Sequence, residues 1–181
     1  KNTLFKNCCN FKGRAARSGF WCFVGFVLPI ASALASENLG KINFPTSGLP
    51  KAQVHFEQGV LLLHSFEYDD AAEEFRKAQL VDPHFAMAYW GEAMTHNKPL
   101  WRKLDQESGQ RVLMRLGEKQ ETRLAKASTV REKGYLGAVE ALFFGDGHEV
   151  ERDSAYAAAM GKLAAQFPGD MEATAFHALA I

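Results

Sequence analysis

Between Ala52 and Pro83 the small and bulky residues fall at intervals that leave little choice of local structure. Ala71 follows Gly59 by twelve positions, Phe75 follows Ala71 by four, Ala78 comes three later and Pro83 five after that. Ala71, Phe75 and Ala78 share one face at the i, i+4, i+7 spacing of a helix. In the segment before them Val54, Phe56 and Val60 to Leu63 cover much of a cylinder, as in a helix packed on more than one side. Phe66–Asp69 reads as a turn. Asp69 or Asp70 opens the second helix, where an acidic side chain accepts from free backbone N–H groups and favours the positive end of the dipole. Asp82-Pro83 closes it, because proline disfavours helical geometry in the residue before it and suits the first turn of the next helix.

The rest of the chain reads as helical almost throughout. His84 to His96 predicts a third helix with Phe85, Met87, Trp90, Ala93 and Met94 on a broad apolar surface, stopped by Pro99. Leu104 to Lys126, more polar, reads as one or two less regular helices. Thr129-x-x-Glu132 is a capping box that starts a helix reaching Phe143 or Phe144, and Gly145-Asp146-Gly147 ends it. Glu151 to Phe167 follows, with Tyr156, Met160 and Leu163 on one line, and a last helix begins near Asp170.

The N-terminal part has a different character. Residues 1–35 carry Lys1, Lys6, Lys12, Arg14 and Arg17 and no acidic residue, followed by an apolar run from Phe20 to Leu34. This is the layout of an export signal, with Ala33-Leu34-Ala35 as a small-x-small site for cleavage before Ser36. Pro29 interrupts a run already shorter than the roughly 20 residues that cross a bilayer, so no stable membrane span is expected after cleavage. Cys22 lies too early in the run for a lipoprotein. The expected location is periplasmic or secreted. Residues 36–51, with Gly40, Pro45 and Gly48, read as an extended arm, and 52–181 as the helical domain. Met87 is the first methionine, and Ile181 falls inside an apolar helical pattern. The reading is therefore of a fragment incomplete at its C-terminus.

Removing the leader leaves 16 basic against 21 acidic residues, so nucleic acid, which needs clustered Lys and Arg, is not an expected partner. All three cysteines (Cys8, Cys9, Cys22) lie in the leader, so folding must come from helix packing alone.

Ser65-Phe66-Glu67-Tyr68-Asp69-Asp70-Ala71, continuing to Phe75, Ala78 and Asp82-Pro83, resembles the turn and second helix of a tetratricopeptide repeat, a unit of about 34 residues. The first helix rests mainly on Gly59, with His55, Gln58 and Leu62 where the family has Trp, Leu and Tyr. Ala93 takes the small-residue position of a second unit that Pro99 interrupts. Gly134 with Tyr156, Met160, Leu163 and Pro168 resembles a third, stretched unit. The whole is similar to long exported bacterial tetratricopeptide-repeat proteins with a Phe-Pro-Thr-Ser arm, here Phe44 to Ser47.

The resemblance implies an all-α chain, a right-handed α-solenoid of tetratricopeptide-like helix-turn-helix repeats, whose first helices line a concave groove for a protein or peptide partner. Carried over by position, the groove residues are Gln53, Phe56, Val60 and His64 from the first unit, and Met87, Trp90, Met94 and Asn97 from the second. Gly59, Ala71, Phe75, Ala78, Pro83 and Ala93 are the repeat-packing set. Aromatic stripes at helical spacing also suit a core, and Trp90 and Phe56 fit that role as well.

Motifs for chemistry are missing from the sequence. The six histidines include no His-x-x-x-His, His-Glu-x-x-His or Glu-x-x-His pair that would set two metal ligands on one helical face. Asp146-Gly147-His148-Glu149 lacks the alternating ladder of a calcium loop and reads as a solvated turn. Ser65 beside His64 is adjacency without a third orienting group, and no Gly-x-Ser-x-Gly elbow or phosphate loop occurs. Asp69-Asp70 and Glu73-Glu74 read as solvated charges rather than a catalytic pair. No catalytic residue, metal or cofactor is expected. The alternative to a peptide scaffold is a metal- or small-ligand-binding envelope protein using His64, His96 and nearby aromatics.

Overall fold

The computed structural model describes residues 39–181, and the predicted leader with its cleavage signal at Ala33, Ala35 and Ser36 lies outside them. The described chain is all-α apart from one small hairpin. Its helices are α1 (Pro50–His64), α2 (Tyr68–Val81), α3 (Ala86–Met94), α4 (Gln106–Leu116), α5 (Gln120–Lys126), α6 (Val130–Phe144), α7 (Glu149–Gln166) and α8 (Met171–Ala180). Between α3 and α4 two short antiparallel strands, β1 (Asn97–Lys98) and β2 (Lys103–Leu104), pair Asn97 with Leu104 and Lys98 with Lys103 around a 3₁₀ turn at Pro99–Trp101.

Local signals explain most boundaries. Pro50 opens α1, its fixed φ matching the first helical turn. Thr129 and Glu132 form the expected capping box at α6, and the Asp170 carboxylate accepts from Ala173 N–H at 3.2 Å to cap α8. The third helix departs from the reading. It ends at Met94 rather than His96, because the Thr95 hydroxyl bonds back to the Glu92 carbonyl at 2.7 Å and the His96 carbonyl accepts from Asp105 N–H in the hairpin.

One ring of the repeat-packing set, Phe75, lies between three helices. Phe75, fully buried, sits against Gly59 of α1, where an added Cβ would lie 2.8 Å from the ring, and against Gly91 of α3, where it would collide more severely. Ala71, Ala78 and Ala93 are also fully buried, whereas Pro83 is exposed in the turn. Burying one Phe side chain contributes about 1.5–3 kcal/mol, so the two glycines let α1, α2 and α3 share that gain at close approach. Gly91 was not among the positions the spacing singled out. Packing then continues from α3 to α4 and α6, from α6 to α7, and from α7 to α8.

Short α5 is held by a buried ion pair. Arg123 donates from Nε and Nη2 to the two Glu140 carboxylate oxygens at 2.5 and 2.6 Å, and from Nη1 to the Gly117 and Glu118 carbonyls. Its guanidinium lies 4.4 Å from the centre of the Phe144 ring. No described helix is long and apolar enough to cross a membrane.

Candidate functional site

The face where groove residues were expected is filled from within the chain. Residues 39–49 form no helix or strand, yet Phe44 in this arm is fully buried, with its ring centre 5.2 Å from Phe56 of α1, 5.8 Å from Trp90 of α3 and 5.1 Å from Tyr135 of α6. Phe176 of α8 closes the other side of Trp90 at 5.1 Å, edge to face. Such pairings add roughly 0.5–1.5 kcal/mol each beyond the area they bury.

The backbone of the arm is held as a bound peptide would be. Gln53 Nε2 donates to the Phe44 carbonyl at 2.7 Å, and Arg131 Nη1 to the Pro45 carbonyl at 2.9 Å. Glu132, almost wholly buried, accepts from Ser47 N–H at 2.6 Å and from the Ser47 hydroxyl at 2.9 Å. Thr46 bonds Gln53, and the Arg131 guanidinium sits 4.5 Å from the centre of the Phe44 ring.

Of the eight expected groove residues, Phe56, Val60, Met87 and Trp90 have no exposure and Met94 only 5%. The first four present no open surface to a ligand, which corrects their placement as groove lining. Phe44 and Phe176 cover the central aromatics, so Phe56 and Trp90 take the core role their helical spacing also allowed. Gln53 faces the arm, while His64 and Asn97 remain half-buried elsewhere. Phe44, Arg131, Glu132 and Phe176 were missed as site residues. The sequence signals for Phe44 were an aromatic before a proline and its place at the head of the Phe-Pro-Thr-Ser stretch.

Arg131 is aimed by Asp170, whose carboxylate accepts from its Nε at 2.6 Å, its Nη2 at 3.0 Å and the Tyr135 hydroxyl at 2.9 Å. Burial alone would raise the Asp170 pKa, but the bonds from Arg131, Ala173 N–H and Tyr135 outweigh it and hold the carboxyl below its ordinary range. A folded-state pKa below the unfolded one gives stability that is present above the unfolded value, about 3.9, and lost as pH falls through the lowered value. Asp170→Asn should therefore be less stable than the parent at pH 6, with the gap narrowing below about pH 4. Urea unfolding across that range checks this, and a gap independent of pH would refute it.

A second feature lies near the C-terminal ends of α1 and α3. A small apolar cleft is walled by Phe66, Met94, Phe176 and Leu179, with His64 and Asn97 at its polar side. The His64 ring stacks on Phe176 at 5.1 Å, and its Nε2 pairs with the Glu172 carboxylate at 2.6 Å. Tyr68 and Tyr156 also line this cleft, and both hydroxyls are buried without a hydrogen-bond partner. Burial raises both phenol pKa values, so each keeps its proton.

His96 lines a different cleft, with Asp69, Arg76 and Asp105, and burial holds its pKa below the ordinary histidine value. His64 and His96 thus line separate clefts. Among the described residues no three His, Cys, Asp or Glu side chains are grouped as a metal site needs. The Ser65 hydroxyl donates to the Leu61 carbonyl at 3.0 Å, away from any nucleophilic role with His64. Comparison with protein-family models, with curated proteins and with solved structures finds no match.

Proposed function

We propose that this chain is an exported, non-catalytic interaction module, a tetratricopeptide-like α-solenoid that binds a protein or peptide segment across the face formed by α1, α3 and α6. The observation that carries the reading is the arm itself. Phe44 enters this face as a knob while Gln53, Arg131 and Glu132 bond the flanking backbone, so the face already accommodates an extended Phe-Pro segment. A partner segment of the same kind, an aromatic residue in extended backbone, would displace or replace the arm. Stacked-helix scaffolds offer extended binding surfaces, and backbone bonds combined with a side-chain pocket are one recurring way of holding an extended peptide.

The test supplies the segment in trans. A protease site placed between Ser47 and Leu49 lets the arm be cut after the protein has folded and then removed by dialysis. The peptide Lys-Ile-Asn-Phe-Pro-Thr-Ser-Gly should rebind saturably, and the same peptide with Ala for Phe should bind at least about tenfold more weakly, the loss of a well-packed aromatic anchor. A cut protein that stays folded and ignores both peptides would sink the proposal.

A further inference from the structure

We infer that the open cleft between α2, the β1–β2 hairpin and the cap of α4 is a binding site for a small oxyanion carrying two negative charges, a dicarboxylate or a phosphate. This inference is independent of the peptide reading, because it uses neither the arm nor the face that holds it.

The charges of the lining carry the argument. With the leader set aside the chain holds 16 basic against 21 acidic residues, yet Arg76, Lys98 and Lys103 line this cleft against only Asp69 and Asp105. The hairpin register sets Lys98 directly opposite Lys103, so both side chains leave the same face of the hairpin. Like charges placed so repel and cost stability. Among the described residues neither lysine makes an ion pair that would offset this cost. The Lys98 ammonium lies 4.9 Å from the centre of the Tyr68 ring, which holds the cation without neutralising it. Arg76 is half exposed and loosely engaged, 3.5 Å from a Glu92 carboxylate that Arg115 and Gln79 already occupy. Of the two acids, Asp105 is committed to α4, where it accepts from Ser108 N–H at 3.1 Å, and Asp69 sits in the first turn of α2 at the positive end of its dipole. His96, kept neutral at physiological pH by burial, adds one ring N–H. The space, about 370 Å³, falls within the range of small-ligand sites. One anion with two charges would bridge the lysines and relieve their repulsion, which a single charge does only in part.

Succinate and phosphate stand for the two sources of such an anion, and acetate supplies a single charge. Each is titrated into the full chain at about pH 8, where both dianions are close to fully charged, and at constant ionic strength, so that general screening stays fixed. Backbone amide NMR shifts of His96 and Lys103 report binding. At least one dianion should saturate and bind at least about fivefold tighter than acetate, the worth of one further exposed charge pair. The tighter of the two identifies the class the site takes. Lys103→Gln should weaken that dianion at least about fivefold, while Lys133→Gln, an exposed position on α6, should leave it unchanged. Because Lys103 opposes Lys98, the Tm of the free Lys103→Gln protein should be unchanged or raised, whereas the dianion should raise the Tm of the parent. Asp69→Asn, which removes an opposing charge, should tighten binding. The inference is overturned if neither dianion saturates, if acetate binds as well, if Lys133→Gln weakens binding as much as Lys103→Gln, if Lys103→Gln lowers the Tm, or if Asp69→Asn weakens binding.

Discussion

Phe44→Ala is expected to destabilise the protein by about 3–5 kcal/mol, the range for removing a fully buried phenylalanine. That is large for a residue in a segment with no helix or strand, and the reason is the number of elements it joins. Its ring touches Phe56, Trp90 and Tyr135, which belong to α1, α3 and α6, and it lies beneath the Arg131 guanidinium. A cavity there would not collapse easily, since its walls are rings fixed on three separate helices. Pro45 is exposed and offers a control in the same arm: Pro45→Ala should change stability by only a few tenths of a kcal/mol. Urea unfolding followed by tryptophan fluorescence reads both variants. A loss below about 1 kcal/mol for Phe44→Ala would mean that the arm contributes little to the fold. The same result would leave the peptide proposal without its main support, because a knob that does not anchor its own arm cannot model a partner's.

The helices were legible because their signals are local. Gly59, Ala71, Phe75 and Ala78 report a close hairpin through spacing alone, and Thr129, Glu132 and Asp170 announce helix starts through side chains that reach only three residues. The site was not legible for the opposite reason. Phe44 is buried by residues 12, 46 and 91 positions away, and Glu132 holds Ser47 from 85 positions off. No periodicity encodes such contacts. Of the positions carried over by spacing, Gln53, Phe56 and Trp90 meet the arm. Spacing could not tell that the chain itself would occupy them, because burial depends on what arrives from elsewhere. The same limit applied at Gly91: its need for a bare Cα becomes visible only once Phe75 is seen to reach α3.

Arg123→Met, leaving Glu140 in place, is expected to cost about 3–5 kcal/mol, as much as the loss of the Phe44 ring. The Arg123 and Glu140 side chains are 3% and 2% exposed, so the change would strand a carboxylate away from water with its bidentate partner gone. It would also remove the donor from the Gly117 and Glu118 carbonyls, which accept from Arg123 Nη1 at 2.8 and 3.0 Å at the link from α4 into α5. Removing both charges separates these effects. If the stranded Glu140 dominates, Arg123→Met with Glu140→Leu should recover most of the loss, since buried pairs are often replaceable by apolar residues of similar volume. If the lost carbonyl bonds matter as well, the double variant should remain destabilised by about 0.5–1.5 kcal/mol for each, the net worth of an ordinary hydrogen bond. The four carbonyl and carboxylate contacts favour this second outcome. A double-mutant cycle by guanidinium unfolding would decide it, and a single Arg123→Met variant as stable as the parent would show that α5 is held by packing alone.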